Sequence, residues 1–178
     1  RRSSDLNKPV SLKGVGIHTG DEVNLTFKPA KENYGYCFCR TDLPEKPIIE
    51  ANIKYVVNTE RGTNLDKNGI KIKTSEHVLA ALVGMEIDNV LIEIDAAEPP
   101  IMDGSAKFFV EALQKAGIKQ QKLERNEYVV KDVISYHDQK SGSDITVIPS
   151  NNYEVTTMVD FGTKILGTQN ATMKNISQ

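Results

Sequence analysis

The chain has 178 residues, 39% of them hydrophobic, with 22 basic against 24 acidic side chains and a formal net charge of −2. That length supports one generous core or two small ones, and the absence of any gathered basic stretch excludes nucleic acid as the main partner. No apolar run approaches the roughly 20 residues needed to span a bilayer, so the chain does not read as membrane-spanning.

The first distinctive run is Gly14-Val15-Gly16-Ile17-His18-Thr19-Gly20. It is not a dinucleotide loop, because the third glycine comes one place late and the next segment reads as a strand, not a helix. A turn before a hairpin strand fits better, with His18 as a hydrogen-bonder in that turn. Residues 22–28 then alternate strictly, placing Val23, Leu25 and Phe27 on one strand face before Pro29. Short strands follow at 34–40 and 48–53, around a turn-rich link. The cysteines, Cys37 and Cys39, lie two apart in the first of these. They share a strand face and cannot easily bond to each other, and free buried thiols suit a reducing cytoplasm. Residues 64–73 read as a hairpin turning at Lys67-Asn68-Gly69, where Asn-Gly supplies the positive φ angles of a tight turn.

Next comes Thr74-Ser75-Glu76-His77-Val78-Leu79-Ala80-Ala81-Leu82-Val83-Gly84. Thr74 or Ser75 is the expected cap of a helix whose apolar face is Val78, Leu79, Leu82 and Met85, with Gly84 as its terminator. Residues 88–95 read as a strand. Asp103 and Ser105, in Pro99-Pro100-Ile101-Met102-Asp103-Gly104-Ser105-Ala106, are expected caps of a second helix ending at Gly117, with a catalytic Asp103 as the lesser alternative. The stripe Phe109, Ala112, Leu113 and Ala116 has helical spacing and reads as core. The fold class is therefore α+β, a sheet with two helices packed on one face.

The polar stretch 119–126 reads as a boundary. Strand patterns resume at 127–135, 144–149 and 153–161, and a polar tail begins near Gly167. Three strands without cover make a marginal domain in water. The expected organisation is a first α+β domain over 1–124 and an incomplete start of a second over 125–178.

Glu76 and His77 carry the chemical signal. Both fall in the first turn of a helix, where the dipole stabilises a carboxylate and keeps an imidazole neutral and able to bind metal. A metal-binding His beside a non-ligating Glu is the pairing by which zinc hydrolases activate water. The structural alternative is a dipole-compensating charge next to a satisfied first-turn His.

The glycine run, Arg40-Thr41-Asp42-Leu43, Ser75-Glu76-His77-Val78-Leu79-Ala80-Ala81-Leu82, Ile87-Asp88-Asn89 and Pro100-Ile101-Met102-Asp103-Gly104-Ser105-Ala106 occur in an order and spacing that resembles the UDP-3-O-acyl-N-acetylglucosamine deacetylases, the zinc amidases of lipid A synthesis. The resemblance covers nearly the whole chain. It implies two similar domains, each a sheet with two helices, packed helix layer against helix layer around an active site. It implies His77 as a ligand of Zn2+, Glu76 as general base, and Phe161 as an aromatic position near the uridine pocket of the substrate UDP-3-O-acyl-N-acetylglucosamine. The family's other zinc ligands come from a His-x-x-x-Asp turn that this chain does not contain, so the chain alone is expected to lack activity. A cysteine that some members carry near the site corresponds here to Gly62, which removes any inhibitory metal binding through that thiol. Two further readings stay open: a non-catalytic sugar-nucleotide binding or assembly module, and an unrelated structural domain. Self-association through uncovered helix faces or strands is also expected.

Overall fold

The structure, a computed structural model, describes residues 1–174. They form two compact units, Arg1–Arg125 and the chain from Asn126 onward. In the first unit, strands β1 (Arg2–Leu6), β2 (Val10–Val15), β3 (Glu22–Pro29), β4 (Tyr36–Arg40) and β5 (Ile48–Glu50) precede three short strands. These are β6 (Val56–Asn58), β7 (Asn64–Lys67) and β8 (Ile70–Ile72), and they lead into helix α1 (Glu76–Gly84). Strand β9 (Val90–Ile94), helix α2 (Lys107–Ala116) and strand β10 (Ile118–Glu124) complete the unit.

The main sheet has the order β2-β3-β9-β4-β5. Only β4 and β9 run parallel; the other pairs are antiparallel. The alternation read in β3 is realised, with Val23, Leu25 and Phe27 fully buried. They share one core with Phe38, Ile92 and Ile94 of the sheet and with Val78, Leu82, Phe109 and Leu113 of the two helices. Phe27 meets Phe109 edge-on, with centroids 6.4 Å apart at 89°, a geometry that adds to area burial. All four stripe residues of α2 are buried, and Gly117 at φ 73° ends the helix. The predicted hairpin β7–β8 turns at Asn68 and Gly69, both at positive φ.

Three local expectations are corrected. Residues 119–124, inside the stretch 119–126 read as a boundary, form most of an unforeseen strand, β10, which pairs with β1, while the first unit still ends in that stretch, at Arg125. Their polar side chains hid this strand, because polar bonds hold the pair in place of an apolar face. Asp5, almost fully buried, accepts the N–H groups of Leu6 and Ala30, and Gln121 joins Asn89 to the carbonyl of Ala30. Gly84 is the last residue of α1 rather than a left-handed terminator. The positive φ falls at Glu86, after the Met85 N–H has bonded the Ala81 carbonyl. The helix starts lack side-chain caps on their N-cap residues, Ser75 and Ala106. Ser105 does accept the N–H of Lys107 at 3.2 Å, and Asp103 in turn accepts from Ser105.

The second unit consists of two antiparallel hairpins. Strand β11 (Ile134–Asp138) pairs with β12 (Ser143–Val147), and β13 (Val155–Asp160) with β14 (Thr168–Met173). Pairing begins at Ile134, later than the expected 127, and much of the predicted polar tail is β14. Its Thr172 hydroxyl bonds that of Thr156 across the ladder at 3.0 Å, so hydroxyls support a strand that lacks apolar alternation. Residues 175–178 of the tail lie outside the described residues. The strands of this unit are exposed along nearly their whole length. Among the described residues, no helix is long and apolar enough to cross a membrane.

Candidate active site

Helix α1 emerges from a strained junction. Thr74 sits at φ 48°, an outlier for a β-branched residue. Its N–H donates to Asn64 Oδ1 at 3.2 Å and its hydroxyl to Glu98 Oε1 at 2.6 Å. Ser75, fully buried, turns its N–H and its hydroxyl onto the carbonyl of Thr63, at 3.1 and 2.9 Å. The residue that takes these two bonds also reaches the candidate pair, because the Thr63 N–H donates to Glu76 Oε2 at 2.8 Å. One carboxylate oxygen is thereby fixed.

The other oxygen, Oε1, lies 3.9 Å from His77 Nε2, with both side chains partly exposed at 39% and 29%. That is too long for a hydrogen bond, yet a single water can sit about 2.8 Å from both atoms. A Cβ on Gly62 would lie 3.4 Å from Glu76 Oε1 and 3.1 Å from Thr74 Oγ1, so residue 62 has little room beside the carboxylate.

A second acid–imidazole pair adjoins the first. Glu98, completely buried, accepts the backbone N–H groups of His18 and Thr19 on Oε2 at 2.9 and 3.0 Å. His18 Nδ1 lies 2.7 Å from Oε1, the oxygen that also takes the Thr74 hydroxyl. Burial alone would raise the Glu98 pKa. The bonds from Thr74, His18 and the Thr19 backbone outweigh burial and hold it at about 2. His18 is thus a turn hydrogen-bonder, as its sequence context suggests. Glu98 itself was missed; the signal was a lone acid in the otherwise apolar run Ala96-Ala97-Glu98-Pro99-Pro100-Ile101.

The glycine run and the proline run, separate motifs in the sequence, pack together here. A Cβ on Gly14 would lie 2.8 Å from Pro100 Cβ, one on Gly16 2.7 Å from Glu98 Oε2, and the Ile101 N–H bonds the Val15 carbonyl. Asp103 is exposed and occupied with Ser105, in keeping with a turn role. Cys37 and Cys39 are free and buried, and burial raises both thiol pKa values. Phe161, in the second unit, is 47% exposed, and its N–H bonds the Gly167 carbonyl. His137 is bonded across the β11–β12 ladder to Asp144 at 2.7 Å.

A catalytic zinc takes three protein ligands plus water. Among the described residues, no group of three or more His, Cys, Asp or Glu side chains could hold a metal. His77 by itself does not fit a zinc centre.

The sequence matches the profile of the UDP-3-O-acyl N-acetylglycosamine deacetylase (LpxC) family over residues 3–178. It is 44% identical over 166 residues to a bifunctional enzyme LpxC/FabZ of Chlorobaculum tepidum, covering 93% of this chain and 36% of that protein. It is 40% identical to a UDP-3-O-acyl-N-acetylglucosamine deacetylase of Myxococcus xanthus (88% of this chain, 49% of that protein). A deacetylase of the same name from Chromohalobacter salexigens is 39% identical (96% and 56%). The chain thus spans between about a third and just over half of the length of these curated relatives. With the match running from residue 3 to residue 178, the chain belongs to the UDP-3-O-acyl N-acetylglycosamine deacetylase family.

Proposed function

We propose that this chain is the N-terminal part of a zinc-dependent amidohydrolase that removes the N-acetyl group from UDP-3-O-acyl-N-acetylglucosamine in lipid A biosynthesis. The observation that carries this reading is the tethered, half-exposed Glu76 carboxylate, with its second oxygen 3.9 Å from the His77 imidazole. Glu76 acts as general base and takes the proton of the water that attacks the acetamide carbonyl. The Thr63 N–H holds its other oxygen, so the base does not have to be ordered at each turnover. His77 contributes one metal ligand, and the remaining ligands belong to the part of the enzyme outside this chain. Residues 1–124 form the first domain and 125–178 the opening strands of a second, with Phe161 lining the uridine pocket. The enzyme works in the cytoplasm. Exposed apolar side chains such as Tyr136, Ile145 and Met158 on its open hairpins favour self-association of the chain on its own.

The test is acetate release from UDP-3-O-acyl-N-acetylglucosamine by this chain alone and by a longer protein that contains it. Activity in the longer protein, abolished by His77→Ala together with its zinc, is the expected result. An inactive longer protein that still binds the sugar nucleotide would favour the second reading, a binding or assembly module.

A further inference from the structure

The Glu98 cluster has a use beyond local satisfaction. Its carboxylate is completely buried, accepts from two separate parts of the chain, residues 18–19 and Thr74, and lies beside the site. It also meets a residue whose backbone is strained. Thr74 at φ 48° is the last residue but one before Glu76, and such outliers persist only where the surroundings over-determine them. The Thr74 hydroxyl lies 2.6 Å from Glu98 Oε1 and 3.3 Å from His18 Nδ1. The site's own carboxylate is adjacent, since Thr74 Oγ1 and Glu76 Oε1 crowd the same point above Gly62.

The imidazole has a defined orientation. Nδ1 faces a buried carboxylate oxygen at 2.7 Å, whereas the His18 side chain as a whole remains 36% exposed. The exposed edge is therefore the one opposite Nδ1, which carries Nε2. A carboxylate that accepts from one ring nitrogen fixes the proton there and leaves the other nitrogen to face a ligand.

We propose that Glu98 is a positioning residue for the Glu76–His77 site: it locks His18 as the Nδ1–H form with Nε2 turned toward bound substrate, and it pins Thr74 at the entrance to α1. This proposal rests on the deacetylase reading for its kinetic consequence, though not for its structural one. Nε2 then meets a polar group of the substrate, while Thr74 sets the direction from which Glu76 leaves the chain. Glu98 touches neither reacting atom and acts only through these two neighbours.

The first measurement needs neither activity nor substitution. Long-range proton–nitrogen NMR of the 178-residue chain at alkaline pH should show neutral His18 protonated on Nδ1 alone. A neutral His18 carrying its proton on Nε2 would overturn the proposal outright. Glu98→Gln keeps the shape but turns an amide N–H₂ toward one set of donors, so both His18 tautomers should become populated. In the longer, active protein, Glu98→Gln should lower kcat by about 10- to 100-fold, the usual cost of losing such a partner. The loss should be non-additive with His18→Ala, so that the double variant is scarcely worse than the worse single one. Full additivity would show that Glu98 acts on stability alone and would also overturn the proposal. If Glu76→Ala left turnover intact, the deacetylase assignment of Glu76 would fail while the NMR result stood, so the two failures are distinguishable.

Discussion

Two acid–imidazole pairs lie side by side in the first unit, and they are built in opposite ways. Glu76 and His77 are neighbours in sequence, half-exposed, and 3.9 Å apart. Glu98 and His18 are 80 residues apart, joined at 2.7 Å, and the acid has no exposure at all. In the first pair, one carboxylate oxygen is tied down and the other is left toward solvent. In the second, both oxygens are occupied, by donors from the turn at His18 and Thr19 and from Thr74. A carboxylate whose two oxygens are both taken by donors serves geometry, because no oxygen is left to meet a further proton donor. An open one retains a basic oxygen for chemistry. Under the proposed roles, the difference follows from how many donors each carboxylate has already accepted.

The widest separation between the pairs is expected in turnover. In the longer, active protein, Glu76→Ala should lower kcat by roughly 10² to 10⁴, the range for losing a general base. Its thermal midpoint should scarcely move, because a first-turn charge is worth only about 0.3–1 kcal/mol to a helix. Turnover and thermal melts on the same preparations check this. A large drop in melting temperature with activity retained would return Glu76 to a purely structural role.

The buried pair should instead appear in the acid limb of stability. Glu98 titrates at about 2 in the fold against an ordinary 4.5. The lowered pKa means that the folded state binds its proton later than the unfolded one. The stabilisation is thus complete above about pH 4.5 and is lost as pH falls toward 2. The difference corresponds to ~3 kcal/mol. Urea unfolding of the 178-residue chain at pH 6 and at pH 3 captures about 2 kcal/mol of it, since pH 3 lies between the unfolded and folded values. Wild type should lose stability over this interval, and Glu98→Gln, already destabilised at pH 6, should lose distinctly less. Equal losses in both would remove Glu98 from the acid response.

How visible each pair was in the sequence follows from the same contrast. Glu76-His77 announces itself because two chemical side chains are adjacent at a helix start, and periodicity alone reveals that helix. The alternation of β3 and the stripe of α2 were legible for the same reason: one element carries the whole signal. Glu98 depends on three segments that meet only in the fold, and nothing local joins residue 98 to residues 18 and 74. The strand β10 was hidden by a related effect, since Gln121 and the buried Asp5 satisfy each other's surroundings through long-range bonds instead of an apolar face. The strain at Thr74 could not be read either; a cap is what Thr and Ser before a helix ordinarily provide.

The glycines next to each pair offer a smaller test. A Cβ on Gly16 would lie 2.5 Å from Thr19 Oγ1 and 2.7 Å from Glu98 Oε2, closer than real Cβ atoms approach. Because Glu98 is held on every side, it cannot yield. Gly16→Ala should therefore cost about 1–3 kcal/mol, the usual cost of overpacking, visible as a lower denaturant midpoint at unchanged m-value. A variant as stable as wild type would mean that the cluster is looser than its distances imply.

Ser75 should give the smallest effect and the finest discrimination. Its hydroxyl bonds the Thr63 carbonyl at 2.9 Å, and the N–H of the same residue holds Glu76. The Ser75 backbone N–H also bonds that carbonyl at 3.1 Å, so removing the hydroxyl leaves the acceptor satisfied. Ser75→Ala should accordingly cost only about 0.5–1.5 kcal/mol, the net worth of one hydrogen bond. If the Thr63 peptide serves to fix the base, loosening it should lower kcat by a few-fold while KM stays put, because ground-state binding is untouched. Stability loss with kcat unaltered would mean that the backbone N–H of Ser75 suffices to hold the peptide. In that case the orientation of Glu76 is set at Thr74, and the burden of positioning the open pair falls on the buried one.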